Sequence, residues 1–119
     1  KRSEIPRRVT LQIAARRLDQ VTIFDITGHI DLANSPELRK VLLKELKETK
    51  TPRVILNLTG VRYIDSSGVA SLVEGLKAAR DQGLRFILYG LSPSAREVLQ
   101  LSRLIKIFEV FDNEQQALA

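Results

Sequence analysis

The sequence predicts an α/β domain with a mixed, mainly parallel β-sheet and helices, in the order β-β-α-β-α-β-α-β-α. Three observations predict it. Short runs rich in β-branched residues, such as "RVILNLTG" and "LRFILYGL", alternate with longer stretches whose apolar residues recur every three or four positions. Capping residues, helix-starting prolines and a helix-ending glycine stand at the joins between these runs. A length of 119 residues, 44% hydrophobic and 28% charged, suits one soluble domain with one core, and no repeat or linker divides it.

The elements follow in order. "VTLQIAA", residues 9–15, alternates with Val9, Leu11 and Ile13 on one face, which is a strand of period two. A turn is expected around "RRLDQ", after which "VTIFDITG" carries Val21, Ile23 and Ile26 and ends at Gly28. These two strands are expected to pair as an antiparallel hairpin. In "DLANSPEL", Asn34 or Ser35 can cap a helix and Pro36 suits its first turn, where its missing N–H has no helical partner. Leu38, Val41, Leu42 and Leu46 then mark one face of an amphipathic helix ending near "TKTP".

"RVILNLTG" reads as a buried strand. A second helix runs from Ser66 or Ser67 to Gln82, with Val69, Leu72, Val73, Leu76 and Ala79 at helical spacing and Gly83 as a left-handed C-terminal stop. "LRFILYGL" is the next strand. "SPSAREVLQLS" is a short helix with Ser92 as cap, "IKIFEVF" a last strand and "DNEQQALA" the start of a final helix.

Composition narrows the function. No apolar run reaches bilayer length, and the opening "KRSEIPRR" lacks the apolar segment of a signal peptide, so a cytoplasmic location without membrane insertion is expected. The chain begins at Lys1 rather than Met, so a short preceding segment is expected. Zero cysteines exclude disulfides and thiolate chemistry. The net charge is +5, with Lys1, Arg2, Arg7, Arg8, Arg16 and Arg17 crowded near the start, and residues 1–8 are expected to be a flexible basic extension. No nucleic-acid-binding motif accompanies that charge, which favours solubility or an acidic protein partner over nucleic acid.

The stretch "VRYIDSSGVASL" places two serines between Asp65 and Gly68, where a strand gives way to a helix. Ligands and partners of α/β folds gather at such junctions, and the first N–H groups of the helix put partial positive charge there. A phosphate on Ser66 would bring about two negative charges to the end that best tolerates them. Gly68 would leave room for a group docking against exposed backbone. The same residues also suit a plain helix cap. A nucleophilic serine needs a base, but His29 is the only histidine and no G-x-S-x-G elbow occurs; Asp31 and Asp65 form no dense carboxylate loop for a metal. Neither an enzyme nor a cofactor is therefore expected.

The element order, with "GHIDLANSPEL", "VILNLTGVRYIDSSGVASL" and "IKIFEVFDNEQQAL", resembles the STAS domain family, and within it the bacterial anti-sigma factor antagonists. The resemblance runs from about Thr10 to the end of the chain, and "Y-I-D-S-S-G-V" is its specific part. It implies a single STAS domain over residues 1–119 that acts as a partner switch. The unphosphorylated antagonist binds an anti-sigma factor that is also a serine kinase. Phosphorylation of the serine after the motif's aspartate, here Ser66, releases it, and a serine phosphatase restores it. The kinase supplies ATP and Mg²⁺.

The resemblance also assigns a partner surface: Asp31, Asn34, Ser35, Asp65, Ser67, Gly68 and Ser71, with the helix face bearing Ser71, Glu74 and Lys77. Asp31 equally suits a turn before the helix, and Ser67 a cap. The sequence departs from the family at His29, where relatives carry an acidic residue, and in its basic charge. A second implied reading is a STAS subunit of a bacterial lipid-transport ABC system, docking on the ATPase without phosphorylation.

Overall fold

The computed structural model describes residues 11–48 and 51–119. The basic extension expected over residues 1–8, and Val9 and Thr10 of the first strand, lie outside them. Strand β1 (Gln12–Leu18) and strand β2 (Val21–Ile30) form the expected antiparallel hairpin, with Leu18 opposite Val21. Its turn is only Asp19-Gln20, and Asp19 takes a φ of 50°, the left-handed conformation that matches strand twist and that Asp tolerates. Arg16 and Arg17, expected in the turn, are strand residues. Arg16 bonds to Asp25 and Glu114, and Arg17 to Thr22, so both side chains find partners beyond their own strand.

Helix α1 (Ser35–Glu48), strand β3 (Arg53–Ile64), helix α2 (Ser66–Asp81), strand β4 (Arg85–Tyr89), helix α3 (Pro93–Leu101), strand β5 (Glu109–Phe111) and helix α4 (Glu114–Leu118) complete the order. The five strands lie side by side in sequence order, and β2, β3, β4 and β5 are parallel. Because the order never reverses, right-handed crossovers place α1, α2 and α3 on the same side of the sheet. Leu38, Leu42 and Leu46 of α1, Leu72 and Leu76 of α2 and Leu99 of α3 share one buried cluster with Phe24, Ile26, Leu56, Leu58, Phe86 and Leu88 of the strands. Each fully buried side chain of this size contributes about 1.5–3 kcal/mol.

The other side has a smaller cluster. The cross-strand row Ile23, Ile55 and Ile87, with Val21 and Tyr89, is met there by Ala117 of α4. A polar network fastens α4 over it. Arg16 donates to Asp25 (Nε to Oδ2, 2.5 Å) and to Glu114 (Nη2 to Oε1, 2.7 Å); Asn57 Nδ2 donates to Asp25 Oδ1 at 2.8 Å, and the Tyr89 hydroxyl to Glu114 Oε1 at 2.7 Å. Hydrogen bonds from the Arg16 guanidinium hold the Asp25 and Glu114 carboxyls below the usual carboxylate range. Arg53 Nη1 caps the far end of α4 on the Leu118 carbonyl at 2.9 Å.

The sequence signals at helix ends hold in most places. Ser92 Oγ accepts the Ala95 N–H at 3.0 Å with Pro93 in the first turn, and Gly83 sits at φ 73° just beyond α2. Gly28, expected to end its strand, lies within β2, whose pairing with β3 continues to Ile30. The last strand differs as well. Ile105–Ile107 form a 3₁₀ turn, and only Glu109–Phe111 of "IKIFEVF" is strand. Arg103, at φ 62°, lets Leu104 N–H close on the Leu99 carbonyl, and Ile107 N–H then bonds to Leu104. That continued turning points Phe108 into the core, which the sequence pattern attributes to strand alternation.

Candidate functional site

The site sits where β2 and β3 end and α1 and α2 begin. Ile30 and Ile64 are paired last in the parallel register and are both fully buried, so the two chains leave the sheet together. Asp65 then caps α2. Its Oδ1 accepts the Gly68 N–H at 3.0 Å, and its Oδ2 accepts the Leu32 N–H at 3.0 Å. One carboxylate thus ties the start of α2 to the loop before α1. Its own N–H donates to the Ile30 carbonyl at 3.0 Å. Asp65, not Ser67, is the cap; Ser67 is half-buried one residue inside the helix.

The loop from Asp31 to Asn34 is built by two side chains. Asp31 Oδ1 accepts the N–H of Ala33 at 3.0 Å and of Asn34 at 3.2 Å, which makes the turn before the helix. Asn34 donates from Nδ2 to the His29 carbonyl at 2.6 Å and accepts the Asp31 N–H at 2.9 Å. Its side chain therefore faces back toward the strand rather than capping α1. Both residues are half-buried beside the site.

Three expected contact residues face inward. Ser35 is buried, and its carbonyl accepts the hydroxyl of Ser71 at 3.1 Å. Ser71 is 4% exposed, so it joins α2 to α1 instead of facing a partner. Gly68 is also buried. A Cβ there would stand 2.6 Å from the Ile30 carbonyl oxygen and 2.6 Å from Ile64 Cγ1. The glycine admits the end of β2, not a visiting group. Glu74 is exposed and pairs with Arg39 of α1 at 2.9 Å, and Lys77 is exposed one turn further on.

Ser66 differs from all of these. It is exposed in the first turn of α2, and among the described residues its hydroxyl has no hydrogen-bond partner. Both oxygens of the adjoining Asp65 carboxylate accept backbone N–H groups, and neither is hydrogen-bonded to this hydroxyl. Around it lies apolar surface that sequence reasoning passed over. Leu32 is 73% exposed in the loop Asp65 holds, and Tyr63 is 45% exposed at the end of β3. Leu32 breaks the helical spacing of the leucines that follow, which was the available signal. Among the described residues no group of His, Asp or Glu is placed to hold a metal, and no helix is long and apolar enough to cross a membrane.

The family model of the STAS domain matches residues 12–117. The chain belongs to the STAS domain family. The anti-sigma F factor antagonist of Paenibacillus polymyxa is 26% identical over 110 residues, covering 92% of this chain and 94% of the relative. The anti-sigma-B factor antagonist of Listeria monocytogenes is 29% identical over 103 residues, covering 86% and 88%. The solved anti-sigma-factor antagonist STAS domain protein of Planctomyces limnophilus superposes with a TM-score of 0.80 at 25% identity, over 89% of this chain and 94% of that one. These three relatives, matched over most of the length of this STAS domain, are named as anti-sigma factor antagonists.

Proposed function

We propose that this STAS domain is an anti-sigma factor antagonist, a cytoplasmic protein without catalytic activity of its own, with Ser66 as its phosphorylation switch. In its unmodified form it binds an anti-sigma factor with serine kinase activity through the surface made by the Asp31–Asn34 loop and the start of α2. Phosphorylation of Ser66 releases the complex, and a serine phosphatase resets it.

The observation that carries the reading is the exposed, unpartnered Ser66 hydroxyl on a helix end held rigid by Asp65. A dianion there costs the fold little, because the helix dipole and the surrounding water accept it. An interface closed over Leu32, Ala33 and Ala70 would have to bury it, which is expensive without a cation to match. The fold persists while the partner is lost, so the switch is local electrostatics rather than refolding.

The test begins with intact mass of the protein from its native host, before and after phosphatase treatment, with site mapping. One phosphate at Ser66, absent from Ser66→Ala, is expected. Ser66→Asp should melt with the wild type yet lose the anti-sigma factor in pull-downs. An unmodified protein that co-purifies with an ABC ATPase would overturn the proposal in favour of the transport reading.

A further inference from the structure

On the side of β2 and β3 away from the helix-covered core lies a cleft of about 220 Å³ lined by Gly28, His29, Gly60 and Arg62. Ile30, Val61 and Ile64 turn into the core, which leaves His29, Arg62 and Tyr63 outside it. Two of the four lining residues are glycines, each required by its own backbone surroundings. Gly28 has a φ of 113°, and a Cβ on Gly60 would come within 2.5 Å of Thr27 Cγ2.

Arg62 and His29 are anchored through their backbones and leave their side-chain heads without hydrogen-bond partners among the described residues. The Arg62 carbonyl accepts the Ser92 hydroxyl at 3.2 Å, and the His29 carbonyl accepts Asn34 Nδ2 at 2.6 Å. The His29 ring stands edge-on to Tyr63 with centroids 5.9 Å apart. Among the described residues neither the imidazole nitrogens nor the Arg62 guanidinium makes a hydrogen bond or ion pair, and no carboxylate lines the cleft.

We propose that this cleft is an anion subsite of the docking surface, taking a carboxylate side chain presented by the bound protein. The fit is chemical and positional. Arg62 and His29 both line a space several times the roughly 30 Å³ of one water, enough for a carboxylate and its remaining waters. Arg62 offers forked donors to such a group, and the imidazole adds a donor in either protonation state. The cleft adjoins the Ser66 surface through Asn34, whose side chain links His29 to the Asp31 turn. The unpaired Arg62 charge, with no carboxylate among the described residues lining the cleft, favours an acidic group in the same sense.

The choice of occupant rests on the docking reading, but the test uses the protein alone. His29 is the only histidine, so its imidazole resonances are unambiguous. The isotopically labelled protein is titrated with acetate, inorganic phosphate and chloride at constant pH, following the imidazole and the Gly60 amide by NMR. Acetate should give a saturable shift at both positions, with the half-point raised about threefold to fivefold in Arg62→Gln, as expected for one exposed charge contact. Chloride reproducing the shifts would reduce the effect to screening and overturn the proposal. Saturation by phosphate without saturation by acetate would overturn the carboxylate assignment. An unchanged half-point in Arg62→Gln would overturn the site itself. None of these results depends on whether Ser66 is ever phosphorylated.

Discussion

Asp65 offers a direct way to separate two contributions of one side chain. Asp65→Ala removes both of its backbone bonds, to Gly68 and to Leu32, each 3.0 Å long. Loss of a helix N-cap costs about 1 kcal/mol, and loss of the exposed charge-assisted bond to the loop about 0.5–1 kcal/mol more. Asp65→Asn keeps an oxygen for Gly68, and Asn caps as well as Asp. Its amide nitrogen cannot accept the Leu32 N–H, so only the second contribution is lost. A domain of this size loses roughly 4 °C of melting temperature per kcal/mol. The Ala variant should therefore melt about 6–8 °C below wild type and the Asn variant about 2–4 °C below. Circular dichroism melts measure both, and the Leu32 amide in an NMR spectrum should exchange faster with solvent in both variants. An Asn variant as unstable as Ala, or an Ala variant that melts with the wild type, would refute the two-oxygen account.

Other substitutions examine neighbouring features. Gly68→Ala forces a methyl against the Ile30 carbonyl and Ile64, and should destabilise urea unfolding by about 1–3 kcal/mol whether or not a partner is present. Glu114→Gln weakens the Arg16 contact. Because Arg16 holds the Glu114 pKa below its ordinary value, the stabilisation is present above that ordinary value and is lost as pH falls through the depressed one. The gap between wild type and Glu114→Gln should thus stay within about 1 kcal/mol at pH 7, given the exposure of the pair. It should shrink as pH falls below the ordinary glutamate range and vanish below the depressed value, as read by urea titration across pH.

The layered fold was legible because it depends on local periodicity. Leu38, Leu42 and Leu46 had to share a helix face, and Ile23 and Ile55 had to lie in strands, whatever packed against them. Ser92-Pro93 and Gly83 marked ends for reasons contained within a few residues. What sequence could not supply was the direction in which a polar side chain faces. Ser35 and Ser71 look alike to Ser66 in sequence, yet the first two meet each other across α1 and α2, 36 positions apart. Gly68 likewise reads as open space until the end of β2 is seen lying against it. The Arg16–Asp25–Glu114 network spans 98 positions between Arg16 and Glu114, and no local pattern announces it.

Helix α4, Glu114–Leu118, has a single buried residue, Ala117. It holds its place through Arg16, Tyr89 and Arg53 and through the small apolar patch under Ala117. Its detachment would be a low-energy opening separate from global unfolding, visible as amide exchange in residues 114–118 well ahead of the central strands. Each such opening bares the isoleucine row across β2, β3 and β4. Self-association therefore has a second apolar surface open to it, on the sheet face under this small flap as well as around Ser66.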